Sequence, residues 1–531
     1  MVEFSGFDLS HTRDLTCHMG QLVPVLCEEV LPNDTFKWNA ETFMRLMPLV
    51  APMNQQVDVF MHAWFCPNRL LFDGWEDFIT GGKEGTDSQL WPYVTAPEGG
   101  FAVGSLADHL GYETGVAGLQ VSALPFRAYN LIYNDWYRDE NLQSELAISK
   151  AAGSDSTTST DLQRRNWKKD IFTGALPFAA RGPQTYLPLG VSAPVVGNGK
   201  TISFTDGANY NGALVSHSAS GANYLHLSSD KVSTTLPSAG SSGGWQITDT
   251  AFGLSKDPTK SGLETDLTEA SAVTVDDFNI AIQIRRFLQK NAIGGARYVE
   301  CLLNHFAKKS SDARLQRPEF LGGGRCPTNI SEVLQTSSTD ATSPQGNMAG
   351  RGVAYMNTPH FLRNFEEHGW VIVLLSIMPK ASYCQGLRRQ FTRKTRLDYP
   401  WPVFAKMGLQ AIQNQEVAAL PPTVVDTDGN PVNEGTFGYE PRYEELRHIP
   451  STYHGQMKTT LNYWHQGRIF DMTQQEPVPL NSQFITCSPD KRVFAVTDAD
   501  EDECIVHINH NFSAIRPFPK NGYPGMIGYM G

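Results

Sequence analysis

Two apolar segments that lie far apart in the chain constrain its fold most: QVDVFMHAWFCP (residues 56–67) and WVIVLLSIM (residues 370–378). Both are rich in β-branched or aromatic residues, and the first ends at Pro67, as is typical of strands. Positions 57, 59, 61 and 63 are apolar, while Phe60 and Trp64 place large rings on the opposite face. We therefore expect a strand that lies between two layers. The second segment is too short for a membrane helix and is typical of a fully buried strand.

The composition favours a mainly β protein. Of the 531 residues, 40% are hydrophobic and 18% are charged, and Gly, Ser, Thr, Asn and Pro make up much of the difference. Such residues favour strands, turns and long connections over helix bundles. The length allows two or three domains, or one domain with large insertions. Ten Trp and 28 Phe suffice for a large core or for extensive interfaces.

The charge and the cysteines exclude several classes of function. The net charge of −12 argues against a protein that neutralises nucleic acid over its whole surface, although one basic face remains compatible with it. The eight cysteines are scattered without a CxxC pair, so we expect free thiols in a reducing compartment, and no zinc knuckle. The first 18 residues do not resemble a signal peptide. We expect a soluble protein that is made and kept inside a cell, with no membrane insertion.

Other elements are predicted from local patterns. Residues 187–260 are dense in Gly, Ser, Thr, Ala and Asn, and turn signals such as Asn198-Gly199 predict a surface insertion with small hairpins. Thr274 and Asp277 form a weak capping pattern for the helix that follows. The further predicted elements are a strand at 22–32, a short amphipathic helix or turn at 68–79, helical turns at 131–136, helices at 274–291 and 296–306, and a hairpin at 493–512 with an acidic tip.

No motif indicates a catalytic or cofactor site. The segment VVGNGKTI (residues 195–202) has Pro194 where a phosphate loop requires glycine, and Asp426–Asn430 has its glycine too early for a calcium loop. His507 and His510 are three residues apart and would face opposite sides of a strand. The acidic run 498–503 is expected to be a solvated turn, with a loose cation site between subunits as the alternative. We therefore predict no enzyme activity, no metal and no cofactor.

A basic cluster stands out in this acidic chain. It lies within KASYCQGLRRQFTRKTRLDYPWP and is interleaved with Tyr383, Phe391, Tyr399 and Trp401. Basic groups hold phosphates and rings stack on bases, so the cluster is a candidate DNA-facing surface. The alternative is a patch that forms salt bridges with an acidic neighbouring subunit. The cations of the cluster are Lys380, Arg388, Arg389, Arg393, Lys394 and Arg396.

Six long blocks occur in an order that resembles a known family. They are DTFKWNAETFMRLMPLVAPM, FMHAWFCPNRLLFDGWEDFITGG, LPFRAYNLIYNDWYRDENL, PEFLGGGRCPTNISEVLQTSS, FGYEPRYEELRHIPSTYHGQMKTTLNYW and HINHNFSAIRPFP. The blocks resemble the major capsid protein of the Microviridae, small icosahedral single-stranded DNA phages. The insertion before the helix at 274–291 resembles the gokushovirus branch.

The resemblance implies a fold and a set of partners. The implied fold is mainly β, a single eight-stranded antiparallel jelly roll of the viral capsid type, built from discontinuous segments of residues 1–531, with long inserted loops and a few short helices. It implies pentamers and a T=1 icosahedral shell of sixty copies around a circular single-stranded DNA genome, assembled in the host cytoplasm. The insertion would form a threefold protrusion that meets a host surface receptor. Implied phage partners are an internal scaffolding protein, a pilot protein and a small basic DNA-binding protein.

The stretch YNLIYNDWYRDENLQ (residues 129–143) is predicted to serve the core and a subunit contact. Its aromatic rings would anchor the subunit contact, and its charged side chains would fix the orientation of the two subunits. The alternative is a helix with contacts inside its own chain. A jelly-roll glycan-binding module remains the rival function. The candidate interface residues are Tyr133, Asp135, Trp136, Tyr137 and Arg138.

Overall fold

The computed structural model describes residues 4–84, 89–182, 275–295, 297–334 and 348–520, and the backbone of six strands between residues 195 and 265. The chain divides into two compact units, Met1–Arg181 with Leu288–Gly531, and Gly182–Phe287. No helix in the described ranges is long and apolar enough to cross a membrane.

The described secondary structure is dominated by antiparallel strands, as the sequence predicted. The strands are β1 Ser5–Asp8, β2 His11–Cys17, β3 Val23–Val30, β4 Thr35–Leu46, β5 Val57–Pro67, β6 Tyr93–Thr95, β7 Gln120–Ser122, β8 Val195–Gly197, β9 Ser203–Thr205, β10 Asn211–Ala219, β11 Ala222–Leu227, β12 Gly253–Leu254, β13 Leu263–Thr265, β14 Glu319–Pro327, β15 Asn329–Leu334, β16 Met348–Asn357, β17 Phe361–Asn364, β18 Gly369–Pro379, β19 Leu409–Gln413, β20 Thr436–Pro441 and β21 Cys504–Arg516.

The helices are short, apart from one near residue 285. The α-helices are α1 Asn68–Leu71, α2 Trp75–Thr80, α3 Leu106–Leu110, α4 Leu124–Ile132, α5 Val275–Gly294, α6 Tyr298–Phe306, α7 Asn414–Val417 and α8 Ser482–Ile485. A π-helical turn, Tyr133–Tyr137, continues α4. The 3₁₀ helices are Arg389–Phe391, Pro402–Lys406, Val432–Glu434, Glu444–Leu446, Gly455–Lys458 and Asn462–Trp464.

The larger unit is a β-sandwich. In one sheet the order is β1-β21-β4-β16-β15, with β17 also pairing with β4 and β2 with β21; the other sheet has the order β14-β5-β18-β3. The main core lies between the sheets, and alternate residues of both contribute to it, such as Phe36 and Trp38 on β4 and Val57 and Val59 on β5. This confirms the predicted jelly-roll class. The number of eight strands stays a prediction.

A second apolar layer covers the other face of the four-stranded sheet. Trp64 and Cys66 of β5 and Ile372 and Leu374 of β18 pack there against α4 and the neighbouring short helices. The predicted position of β5 between two layers is therefore confirmed. The predicted buried strand at 370–378 is also confirmed, since nearly every side chain of β18 is buried.

The predicted hairpin at 493–512 is wrong in its first half. Only β21 is a strand, and it pairs with β1, β2 and β4. Val493 and Phe494 are buried, but they lie in a loop that packs on the core. The acidic run folds around Lys491, whose Nζ donates to three carbonyl oxygens of that loop, including that of Ala499 at 3.0 Å. Phe494 forms only an isolated antiparallel bridge with Leu49, so burial of apolar side chains, without a continuous strand, produced the misleading pattern.

The smaller unit contains strands β8 to β13. It has a four-stranded sheet in the order β11-β10-β9-β12, and β13 pairs with β8. Strands β10 and β11 form a hairpin in which Ala219 lies opposite Ala222. The predicted cap residue Thr274 and the turn Asn198-Gly199 lie outside the described residues. The limits of the insertion at 187 and 260 and its place at the surface stay predictions.

Candidate assembly and nucleic acid interfaces

Helix α4 is anchored by polar side chains that are completely buried. Arg127 and Asp155 form an ion pair at 2.8 Å, and neither side chain is exposed. The guanidinium of Arg127 also donates to the carbonyl oxygens of Leu71 and Ala151, at 3.0 and 2.9 Å. Tyr129 donates its hydroxyl proton to the carbonyl oxygen of Leu22 at 2.8 Å. The helix is thus fixed from several directions, and the π-helical turn that follows it has a defined position.

The π-helical turn presents two rings to the outer face of the four-stranded sheet. The hydroxyl oxygen of Tyr137 accepts from Trp64 Nε1 at 3.3 Å and lies 2.9 Å from His62 Nδ1. The ring of Trp136 lies 4.6 Å from that of Trp64, and its Nε1 donates to the carbonyl oxygen of Pro318 at 3.1 Å. Burial raises the pKa of Tyr137 to about 12, so its hydroxyl stays protonated near neutral pH.

The charges of this turn also have partners inside the chain. Arg138 donates to the carbonyl oxygen of Gln143 at 3.0 Å, and Arg297 donates to the carbonyl oxygens of Asn134 and Arg138, both at 3.0 Å. Burial raises the pKa of Asp135, while Arg317 and Arg297 act in the opposite direction. Tyr133 is buried and Asp135, Trp136, Tyr137 and Arg138 are half-buried. The described contacts favour the intrachain alternative, and a role for these five residues at a subunit contact stays a prediction.

Three cations of the basic cluster are paired with carboxylates of the same chain. Arg389 lies 2.6 Å from Glu416, Arg393 lies 3.4 Å from Glu445, and Lys394 lies 2.8 Å from Glu434. Burial pulls the pKa of Arg389 down, but the hydrogen bond and charge of Glu416 more than offset this and the net shift is upward. The salt bridges expected with a neighbouring subunit therefore form, for these three, within one chain.

The other three cations have no ion pair within the described ranges. Lys380 and Arg396 are exposed, and Arg388 is half-buried. One ring of the cluster is not accessible for stacking on a base, because Tyr383 is buried and its hydroxyl donates a hydrogen bond to Asp170 at 2.7 Å. A DNA-facing role of the cluster stays a prediction, now with only three unpaired cations.

Buried carboxylates surround Arg389. Glu440 is 3% exposed, and burial raises its pKa to about 7, with Glu416 and Glu445 acting in the same direction. One oxygen of Glu440 accepts from Gln410 at 2.9 Å, and the other has no hydrogen-bond partner. This part of the surface is therefore locally acidic and basic at once, which differs from a uniformly positive DNA groove.

Sequence reasoning assigned Phe391, Tyr399 and Trp401 to base stacking and missed that they belong to an exposed apolar stretch beside these ion pairs. This stretch consists of six side chains that are each at least half exposed: Phe391, Leu397, Tyr399, Trp401, Val403 and Met407. Val403 is 83% exposed. A monomeric protein rarely exposes so many large apolar groups close together. The sequence shows the residues but not their exposure, so only the structure could indicate a contact surface here.

An aromatic basin on the outer face of the four-stranded sheet was also missed. The cavity has a volume of about 450 Å³, and its rings belong to Phe60, His62, Trp64, Trp136, Tyr137, Trp167 and Phe320. Phe320 lies opposite Trp64 in the β14–β5 register, with ring centroids 4.8 Å apart. A Cβ at Gly323 would come within 2.6 Å of the His62 ring, so glycine leaves room for that ring. The even positions of β5, noted in the sequence, were the signal for this face.

The remaining motifs concern candidate metal ligands and a candidate reactive cysteine. No group of three or more metal-binding side chains occurs there. His507 is exposed and His510 is fully buried, so they face opposite sides of β21 as predicted. Asp426 accepts from the backbone amides of Asp428 and Asn430, as in a polar turn. Burial, followed by the charge of Asp58, raises the pKa of the Cys326 thiol, which disfavours a reactive thiolate there.

The comparisons with known proteins cover almost the whole chain. The model of the Phage_F family, described as capsid protein (F protein), matches residues 1–526. The chain belongs to this phage capsid family. It is 35% identical to capsid protein VP1 of Chlamydia phage 1 over 577 residues, covering 99% of this chain and 96% of the relative.

Two further capsid relatives agree with this assignment. Capsid protein VP1 of Bdellovibrio phage phiMH2K is 35% identical over 543 residues, covering 99% of this chain and 96% of the relative. Capsid protein VP1 of Spiroplasma virus 4 is 30% identical over 552 residues, covering 98% and 95%. The resemblance to Microviridae capsid proteins of the gokushovirus branch is confirmed. The chain is a structural capsid protein of the virion, and its relatives are not enzymes.

Proposed function

We propose that this capsid protein forms a T=1 icosahedral shell of sixty copies that encloses a circular single-stranded DNA genome. Family membership supports self-assembly, and the exposed apolar stretch is the observation that carries the proposal furthest. A capsid subunit covers much of its surface with copies of itself, and apolar side chains are enriched in the centre of such interfaces. The occupant of the stretch is therefore a second copy of this chain.

The electrostatics of the neighbouring cluster support the same surface. Arg389 and Arg393 are already paired within the chain with largely buried carboxylates, so a second copy would not have to supply carboxylates for them. Unpaired charges buried in an interface are costly, whereas paired ones are tolerated. Contacts between different patches of neighbouring copies are the type that closes rings such as pentamers.

The first test is cryo-electron microscopy of the full chain, expressed alone and together with the neighbouring phage genes. Closed shells of roughly 3.5 MDa, about sixty copies, are expected in at least one condition. Pentamers alone in the first condition and shells in the second would show that the internal scaffolding protein is needed. A monodisperse monomer or trimer in both conditions would contradict assembly. Nuclease-protected circular DNA within the shells tests the enclosure of the genome.

A matched pair of substitutions tests the assembly surface. Val403→Asp places a charge in the apolar stretch and should abolish particles, because burying an unpaired carboxylate is unfavourable. Val103→Asp is the control, since Val103 is 85% exposed but lies outside the stretch. Both variants should retain the melting temperature of the unassembled chain. If both variants lost particles equally, the result would contradict the proposal that this apolar stretch forms the subunit interface.

The insertion at 187–260 is proposed to contribute to host attachment, together with a surface receptor. Its composition, rich in small polar residues, supports a surface role that does not carry the core. Replacing residues 197–244 with a short linker should leave shells intact and abolish adsorption to the host. Loss of shells would instead show that the insertion holds the shell together. The pilot protein and the small basic DNA-binding protein are proposed to enter the same particle.

A further inference from the structure

The aromatic basin is a cavity that combines rings with positive charge. Its volume of about 450 Å³ lies within the range of ligand pockets, roughly 300 to 1,000 Å³. Arg165, Lys168 and Lys169 line it, and no Asp or Glu is among the described residues that do so. In a chain with a net charge of −12, a cavity whose charged lining residues are all cations is unexpected. The lining therefore favours an anionic ligand.

Arg165 holds its charge inside the basin without a carboxylate. Its guanidinium donates to the hydroxyl of Ser376 at 3.0 Å and lies 4.5 Å from the ring centroid of Phe60 and 5.5 Å from that of Tyr137. No ion pair of Arg165 occurs within the described ranges. A guanidinium remains charged under ordinary conditions, and such a half-buried cation is stabilised when an anion binds beside it.

Two lysines extend the positive charge to the edge of the basin. Lys168 and Lys169 are exposed, and Lys169 lies 3.5 Å from Asp139. The side chain of Lys169 is 76% exposed and that of Asp139 is 14% exposed, so this pair partly offsets the charge of Lys169. Arg165 and Lys168 have no ion pair within the described ranges. Three cations beside one cavity suit an anionic ligand, such as a phosphate, better than a neutral sugar.

The rings provide the second element of recognition. Phe320 is 47% exposed and stands at the open edge of the basin, with its centroid 6.4 Å from that of Trp136. Exposed rings beside a positive groove are how proteins grip single-stranded nucleic acid without sequence preference, because every base has a flat face to stack. A sugar site would use rings as well, but it would place carboxylates or free amides where this basin has cations.

We propose that the aromatic basin binds single-stranded nucleic acid, with a base stacked on Phe320 and phosphates at Arg165, Lys168 and Lys169. This inference rests on the proposed function, because the enclosed genome would be the source of the single-stranded nucleic acid. It places the contact at a surface different from the Lys380–Arg396 cluster, where three of six cations are already paired. Trp136 and Tyr137 of the stretch 129–143 then have a role in shaping the basin.

The test is the affinity of the full chain for a labelled oligothymidylate, measured by fluorescence anisotropy at about 50 and about 200 mM salt. The double variant Lys168→Gln/Lys169→Gln should bind roughly tenfold more weakly, and the slope of log affinity against log salt should fall by about 1.4. The matched control is Lys308→Gln/Lys309→Gln, which removes the same charge from an adjacent pair of exposed lysines away from the basin lining. This control should bind as the unmodified chain does.

Removing the exposed ring tests the stacking. Phe320→Ala should weaken binding by roughly 5- to 150-fold without changing the salt slope, because it removes stacking on one base and no charge. Phe306→Ala is the control, since Phe306 is 73% exposed on α6. The melting temperature of each variant shows whether it folds. If Phe320→Ala does not fold, the Lys168→Gln/Lys169→Gln variant still tests the proposal, because both lysines are exposed.

Three outcomes would overturn the inference. Loss of binding in Arg388→Gln/Arg396→Gln, with the basin variants unchanged, would assign nucleic acid to the basic cluster. The basin would be a sugar site if the unmodified chain bound neutral glycans but not oligothymidylate, and if Phe320→Ala abolished the glycan binding. If the Lys308→Gln/Lys309→Gln control weakened oligothymidylate binding equally, the effect of the lysines would come from the overall charge of the chain and not from the basin. The proposed shell is tested separately, by the DNA content of particles, and would survive each of these results.

Discussion

Replacing Arg127 with methionine should destabilise the larger unit more than any exposed ion-pair variant of the same type. The substitution leaves Asp155 buried without its cation and deprives the carbonyl oxygens of Leu71 and Ala151 of a donor. Asp155 keeps the amides of Thr157 and Thr158. Breaking a buried pair on one side costs about 3 to 5 kcal/mol.

The loss of stability converts into a measurable shift of the melting temperature. An unfolding entropy of about 2.1 cal/mol/K per residue gives roughly 0.9 kcal/mol/K for the larger unit, so about 4 kcal/mol lowers the melting temperature by about 4 °C. The deficit should narrow as the pH falls towards 4, because protonation neutralises the carboxylate that has lost its partner. The assay is differential scanning calorimetry of the unassembled full chain.

Arg69→Met is the matched control for this prediction. Arg69 lies 2.6 Å from Glu367, but the two side chains are 31% and 37% exposed. Exposed pairs contribute about 0 to 1 kcal/mol, so the melting temperature should fall by no more than about 1 °C. Equal shifts for Arg127→Met and Arg69→Met would refute the argument that burial makes the Arg127–Asp155 pair critical.

Three further perturbations have definite expected outcomes. Tyr137→Phe leaves Trp64 Nε1 without its acceptor and should lower the melting temperature by about 1 to 2 °C, whereas exposed Tyr399→Phe should not. Glu440→Gln should raise the melting temperature by up to about 3 °C at pH 8 and by less than about 1 °C at pH 5, because a raised carboxyl pKa means that stability is lost as the pH rises towards 7. Burial, followed by the charges of His11 and Arg13, lowers the pKa of His510 to about 3. The chain therefore loses stability as the pH falls from about 6.5, and a His510→Gln variant should lose less between pH 7 and pH 4 when its melting temperature is measured across that range.

The strands were predictable where the pattern is local. The alternation in β5 and the continuous apolar run of β18 follow directly from the side-chain period of two. The loop at 493–503 has the same local composition as a strand, but Val493 and Phe494 pack on the core from a turn. Such a segment forms a strand only if the edge of another strand is available to pair with it. The availability of that edge depends on residues far away in the sequence.

The sites were less predictable, because their partners are distant. Arg389 meets Glu416 and Arg393 meets Glu445, 27 and 52 residues further along the chain. A count of local charge therefore overestimates the free positive charge of the Lys380–Arg396 cluster. Arg165 shows a different case, since its basic run, RRNWKK at residues 164–169, is visible in the sequence but its surroundings are not. Only the fold brings Arg165 against rings of β5 and the π-helical turn.

The position of β21 determines when this protein can finish folding during its synthesis. Residues 504–516 lie between β4 and the N-terminal strands β1 and β2, so the first strands made must wait for almost the last one. Until the ribosome releases this segment, the long edge of β4 is unpaired and open to other chains. Contacts between residues almost 500 positions apart also close slowly. A nascent or prematurely terminated chain is thus expected to depend on chaperones and to aggregate, which limits how fast an infected cell can supply subunits.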